Sequence, residues 1–266
     1  MAFKTLKFEE PEPGIGLLTL NRPGRLNAMS MELVEELHVF FAQLKASEQV
    51  RVLIITGEGR GFCSGADLKD AASRGDYKNL FPDATAHLIG IQKKYADLVL
   101  EMKRLPQPII AAVNGPAAGG GMCLALASDV VIAGPGATFT PSFINIGLSG
   151  GEMGTTFFLP RQVGSARAAE ILLTGRTVDA TEAERIGLVS RLVEEDRLME
   201  AAIGVARTML LKSPIGLRLT KETLNLNLNA PSLEAAVELE NRNQSMCCYA
   251  PDFFKAVVAF VKRKRA

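Results

Sequence analysis

Gly119, Gly120 and Gly121 stand between a short run of apolar and β-branched residues, Ile109 to Val113, and an apolar stretch at 122–127. The first run is brief and preceded by Pro106 and Pro108, as a buried strand would be, and the second suits a buried helix. Glycines at such a junction let the backbone approach a ligand closely, and the first amides of a helix have no intrahelical acceptor. Backed by the helix dipole, those amides attract an anion. Residues 52–56 form a second strand pattern that runs into glycines, in Gly57-Glu58-Gly59-Arg60-Gly61-Phe62-Cys63-Ser64-Gly65-Ala66-Asp67-Leu68-Lys69. Two such loops, each aiming one N–H at the same oxygen, are the minimum oxyanion hole for an enolate or a tetrahedral intermediate. A glycine run taken alone is equally compatible with a tight turn or close helix packing. The second loop shifts the balance toward a ligand.

Other chemistries find fewer parts. Gly57 to Gly61 loosely evokes a dinucleotide loop, but the G-x-x-G continuation and a ribose-binding acid after a second strand are missing, and there is no Walker lysine. His38 and His87 lie in separate helical contexts, and Cys63 or Ser64 as a nucleophile lacks an identifiable base. Cys63, Cys123, Cys247 and Cys248 have no C-x-x-C spacing, so neither a zinc site nor a disulfide framework is expected. Asp67 and Asp129 read as structural, capping residues.

These loops need elements to hold them. At 266 residues the chain can bury a sizeable core, and 47% hydrophobic with 22% charged residues is an ordinary composition for a globular protein. Thirty basic against 29 acidic side chains leave a net charge of +1, which gives no general affinity for nucleic acid or a membrane surface. Any phosphate site must then be local. No apolar run reaches the roughly 18 residues of a membrane span, and no leader pattern opens the chain, so a cytoplasmic protein is expected.

Alternation predicts strands at 3–9 and 15–20, and helical periodicity predicts a helix at 31–45 with Leu33, Val34, Leu37, Phe40, Phe41 and Leu44 on one face and Ser30 as its cap. Residues 70–88 are polar and irregular and read as the ligand-adapting segment. A helix at 85–104 and strands at 129–133 and 188–193 follow. Beyond 194 the pattern turns helical, at 197–211, 215–226, 233–246 and 253–261, with Pro214, Pro231 and Pro251 near the starts.

Asn21-Arg22-Pro23 with Leu26-Asn27-Ala28, then Phe62-Cys63-Ser64-Gly65-Ala66-Asp67-Leu68, then Asn114-Gly115 with the Gly119 to Gly121 run, resemble the ordered motif set of the crotonase superfamily, the enoyl-CoA hydratases and isomerases. Residues 253–264 resemble that family's C-terminal helix. The resemblance implies an α/β fold, a crotonase-like spiral of ββα units with a helical C-terminal trimerisation region. Residues 1–194 would form the spiral core with the acyl-CoA site, and 195–266 the region of association and CoA cover, in a homotrimer or a dimer of trimers. It further implies that the amides of Ala66 and Gly120 hold the thioester oxygen of an acyl-CoA, with coenzyme A part of the substrate and no covalently bound cofactor or metal. Backbone contacts to CoA are expected from Ala66, Asp67, Leu68 and Lys69. Arg22 and Arg25, near Leu26 and Ala28, would lie beside its adenine or phosphates, and Phe260 and Arg263 match the covering helix. For the arginines and for the basic end at 262–265, plain exposure to solvent is the competing reading.

Hydratases of this family carry one catalytic Glu three residues after the oxyanion glycine and a second about twenty residues later. The matching positions here are Cys123 and Phe143. A neutral thiol and a phenyl ring cannot activate water and return a proton as two carboxylates would. Glu152, in Ile146-Gly147-Leu148-Ser149-Gly150-Gly151-Glu152-Met153-Gly154, falls where the family's dienoyl-CoA isomerases carry an acid. A single base suffices to shift a double bond, so the resemblance implies an enoyl-CoA isomerase with Glu152 as that base. A hydratase with a non-standard acid/base set and a non-catalytic acyl-CoA binding protein stay open beside it. Alternatively, Glu152 is a capping or first-turn acid of a helix running to Leu159, worth about 0.3–1 kcal/mol. Placed among Phe143, Met153, Phe157 and Phe158, its carboxyl is expected to have a raised pKa.

Overall fold

Strands β3 (Val52–Gly57) and β4 (Ile109–Val113) are apolar almost throughout because helices cover both faces of the sheet they centre. Alternate side chains divide between two cores, Leu53, Ile55, Ile109, Ala111 and Val113 on one face and Val52, Ile54, Ile110 and Ala112 on the other. Around them the sheet is completed by β1 (Leu6–Glu12), β2 (Ile15–Leu20), β6 (Val130–Ala133) and β9 (Arg191–Leu192), in the order β1-β2-β3-β4-β6-β9. The β1–β2 pair is antiparallel and the other pairs are parallel. A three-stranded sheet of β5 (Pro116–Ala118), β7 (Thr138–Thr140) and β8 (Val178–Asp179) stands beside it. Successive passes run from the large sheet to the small one and then into a helix, which is the ββα spiral expected. This computed structural model describes residues 3–69 and 83–263. Most of the segment expected to adapt to the ligand, 70–82, lies outside them, as do the side chains of Phe260 and Arg263.

The helices are α1 (Met31–Lys45), α2 (Lys93–Arg104), α3 (Gly120–Ala127), α4 (Thr155–Val163), α5 (Ser165–Thr174), α6 (Ala180–Ile186), α7 (Leu198–Leu210), α8 (Pro214–Asn227), α9 (Leu233–Cys248) and α10 (Pro251–Arg263). Helix α1 has the bounds its periodicity predicts and buries the six apolar residues named above, and Ser30 Oγ accepts the Leu33 N–H at 3.3 Å. A short helix, Ala84–His87, passes through a wide π-turn at Leu88–Gln92 into α2. The strand expected at 188–193 shrinks to two residues. Its first amides are drawn off to end α6, Leu188 donating to Ala183 O at 2.9 Å after Gly187 takes a left-handed turn.

Helix α7 packs Leu198, Ala202 and Ala206 into the second core. Helix α8 is pinned by Lys221, whose side chain is 5% exposed and whose ammonium donates to Met102 O at 3.1 Å, Gln107 O at 2.8 Å and Asp129 Oδ2 at 2.8 Å. Asp129 also accepts the Ile109 N–H at 2.8 Å, so it ties the start of β4 to α8, the structural role expected of it. Lys221→Met is expected to cost about 2 kcal/mol in chemical denaturation, because it leaves the buried Met102 and Gln107 carbonyls without their donor and Asp129 with only the Ile109 N–H and Lys103, at 3.5 Å.

Candidate active site

The two glycine loops are stitched edge to edge. Cys63 N–H donates to Pro116 O at 3.0 Å and Ala118 N–H to Cys63 O at 2.9 Å, while Gly119 N–H donates to Thr140 O at 2.9 Å. Two glycines permit this approach. A Cβ on Gly121 would overlap the Cys63 carbonyl, and one on Gly65, at φ +86°, would lie 2.8 Å from Ala118 O and 3.3 Å from Gly120 N. The Ala66 amide thus follows directly on a residue in contact with the Gly120 amide. Gly120 opens α3, and neither its N–H nor that of Ala66 has a backbone acceptor among the described residues. Two free amides on adjacent turns, one at a helix N-terminus, can hold an oxyanion.

Residues 21–28 brace the first loop from below. Asn27 is fully buried at φ +55°, donates to Glu58 O at 3.0 Å and Gly61 O at 2.7 Å, and accepts the Arg22 N–H at 2.8 Å. Arg22 spends its guanidinium on Asp67 Oδ2 at 2.8 Å and on the Ala28 carbonyl. It is an internal brace, and Asp67 is its structural partner. Arg25 is exposed, and its carbonyl and that of Leu26 accept from Ser64 Oγ and N at 3.3 and 3.0 Å. Arg25, Leu26 and Ala28 therefore run alongside Ala66, Asp67, Leu68 and Lys69, of which Ala66, Leu68 and Lys69 are exposed.

Glu152 lies ahead of α4, not within its first turn. Met153 at φ +43° and Gly154 at φ +82° separate it from Thr155, a backbone that a side chain as large as methionine seldom adopts. The turn is held by Thr155, whose N–H donates to Glu152 O at 2.9 Å and whose Oγ1 accepts the Glu152 N–H at 3.1 Å. It presses Met153 onto Gly120, with Met153 Sδ 3.4 Å from where a Cβ on Gly120 would be. The Glu152 carboxylate is half-buried and accepts hydrogen bonds from Gln92 Nε2 and the Met153 N–H. Burial raises its pKa above the usual carboxylate range, against the pull of those donors and of His87 nearby.

At the two positions where hydratases carry carboxylates, the side chains are apolar or inert. Cys123 is buried, its thiol donates to Gly119 O at 3.3 Å and Glu152 O at 3.6 Å, and burial holds its pKa far above the ordinary thiol value. Cys63 is likewise pushed up to about 12 by burial. The Phe143 ring lies 3.4 Å from the Cβ position of Gly119. Of the expected apolar neighbours, Phe157 and Phe158 line a separate groove of about 400 Å³ with Met153 and Gly154. Gln92 and His87 were not foreseen. They stand five residues apart, off the regular helical register, and no periodicity marks them as facing a carboxylate that lies 60 residues beyond Gln92. Among the described residues no cluster of His, Cys, Asp or Glu could hold a metal ion, and no helix is long and apolar enough to cross a membrane.

The family model described as enoyl-CoA hydratase/isomerase matches residues 10–266. A probable enoyl-CoA hydratase of Mycobacterium tuberculosis H37Rv, echA12, is 44% identical over 258 residues, 97% of this chain and 90% of that one. Among solved structures, a probable enoyl-CoA hydratase/isomerase from Mycobacterium abscessus superposes with a TM-score of 0.89 at 38% identity, covering 98% and 96% of the two chains. A monofunctional enoyl-CoA isomerase from M. smegmatis gives 0.72 at 41% identity, covering 88% and 98%.

Proposed function

The chain belongs to the enoyl-CoA hydratase/isomerase family of the crotonase superfamily, and from that premise we propose that it shifts the double bond of an enoyl-CoA with Glu152 as its single base. One observation carries this reading: the Glu152 carboxylate is half-buried, its neighbour Met153 packs against Gly120, and the two hydratase positions hold a neutral thiol and a phenyl ring. The thioester oxygen accepts the Ala66 and Gly120 N–H groups. Glu152 takes a proton from C2 of a 3-enoyl-CoA, and the electron pair spreads into a dienolate whose oxyanion those amides stabilise. The same carboxyl returns the proton to C4, leaving a 2-enoyl-CoA. Atoms and electrons balance with no oxidant, metal or water. A carboxyl whose pKa is raised by burial gives and takes a proton more evenly near neutral pH than an ordinary one.

In this reading CoA lies along Arg25, Leu26, Ala28 and Ala66–Lys69, and the cover is the C-terminal helical region, to which positions 260 and 263 belong. Its exposed apolar residues, among them Leu224, Leu228, Leu233, Phe254 and Val258, support association of 195–266 into trimers. Nothing in the composition calls for a compartment other than the cytoplasm. Hydration is the second reading, favoured by the names of the hydratase relatives. Incubating the protein with a 3-enoyl-CoA and, separately, a 2-enoyl-CoA in heavy water decides between them. The expected result is conversion of the 3-enoyl to the 2-enoyl isomer with deuterium exchange at the α and γ carbons. Accumulation of 3-hydroxyacyl-CoA would establish the hydratase, and binding without turnover would leave a pocket that only holds acyl-CoA.

A further inference from the structure

Gln92 is brought to Glu152 by a feature that a plain helix would not supply. The π-turn at Leu88–Gln92 interrupts the run from Ala84–His87 into α2, and such wide turns are frequent at functional sites. One turn further on, Tyr95 Oη donates to Met29 O at 2.8 Å. Met29 in turn donates its N–H to Gly65 O at 2.7 Å and accepts the Asp67 N–H at 3.1 Å, on either side of the Ala66 amide. A single helical segment thus grips the carboxylate through Gln92 and the oxyanion loop through Tyr95.

We propose that Gln92 is the positioning residue of the reaction, holding the Glu152 carboxylate in register with the Ala66 and Gly120 amides. The inference rests on Glu152 being the base. A primary amide suits the task because it donates a hydrogen bond to a carboxylate yet neither gives nor takes a proton itself, so proton transfer stays with one group. Among the described residues, the groups facing Glu152 are Gln92 and His87 from the segment ahead of α2, the Met153 N–H from its own turn and, at its backbone carbonyl, the Cys123 thiol from α3. Gln92 binds the charged form and so opposes the desolvation that favours the neutral one.

The test compares Gln92→Leu, Gln92→Glu and Glu152→Gln by steady-state isomerisation of a 3-enoyl-CoA across pH, and by carbon-13 NMR titration of the Glu152 carboxyl in the free protein. Glu152→Gln serves to assign the signal. In Gln92→Leu, kcat is expected to fall about ten- to a hundredfold with KM within about twofold, the loss typical of a misaligned reacting group. Its acid limb and NMR titration move to higher pH. Gln92→Glu, which keeps the volume, is expected to move both further, because two carboxylates then share a site. Wild-type pH behaviour in Gln92→Leu, whether or not kcat falls, would overturn the proposal and leave Gln92 a packing residue. Full turnover in Glu152→Gln would instead sink the base assignment, while the NMR titration would still report whether Gln92 holds the carboxylate.

Discussion

Glu152→Gln is expected to lower kcat for double-bond migration by about 10²- to 10⁴-fold while leaving CoA-thioester binding within about threefold, as measured by single-turnover assay and calorimetric titration. Glutamine keeps the shape and the partner at Gln92 but cannot accept the α-proton. The same variant makes a stability prediction of opposite sign. Burial sets the folded-state pKa of Glu152 above its unfolded value, so the native protein binds more protons between the two. Wild-type stability therefore falls as pH rises from the ordinary carboxylate range through the raised value, and it stays lowered above that. The Gln variant has no such window. Its unfolding midpoint at neutral pH is expected to equal or exceed that of the wild type. A variant that loses activity and unfolds earlier would show instead that Glu152 is a structural acid of the α4 turn.

Gly65→Ala is expected to reduce kcat/KM by about 10²- to 10³-fold, the loss associated with one oxyanion donor. Its cause is geometric. At φ +86° an alanine is strained, and its methyl group would press on Ala118 O and Gly120 N, separating the two loops whose amides must converge. The strain should also cost about 1–3 kcal/mol of stability. Gly204→Ala, in α7 with nothing within 4 Å of the added carbon, is the control: turnover unchanged, stability equal or higher by up to about 1 kcal/mol. Equal losses of activity in both variants would mean that the two loops do not jointly hold the substrate oxygen. Kinetics on the folded fraction, with circular dichroism alongside, separates the two effects.

Much of the frame is legible in the residues themselves. Helix α1 with its Ser30 cap, strands β2 and β4, and the two strand–glycine junctions are all specified by local patterns: helical periodicity, alternation, and glycine where the backbone must pass close to its neighbour. That Cys123 and Phe143 stand where the family resemblance places the two hydratase carboxylates is also read from sequence, and it favours a one-base reaction. Local patterns yield where a distant competitor claims the same groups. Residues 188–193 have the composition of a longer strand, but their first amides were needed to end α6. Arg22 reads as a cation available to CoA phosphates, yet Asp67 and the Ala28 carbonyl claim it.

What lies beside Glu152 was decided only in three dimensions. Its placement depends on two consecutive left-handed residues, one of them a methionine whose conformation no propensity would favour, and on the packing of that methionine against Gly120. Its partner Gln92 arrives from a segment 60 residues earlier, through a wide turn that breaks helical register. Periodicity records which face of an element is buried, and so the chain alone could determine the strands, the helices and the glycine amides they present. It does not record which side chains from separate elements converge on a point, because that depends on the packing of many distant residues at once. The two glycine loops were therefore readable from sequence, whereas the setting of the Glu152 carboxylate was a decision of the tertiary structure.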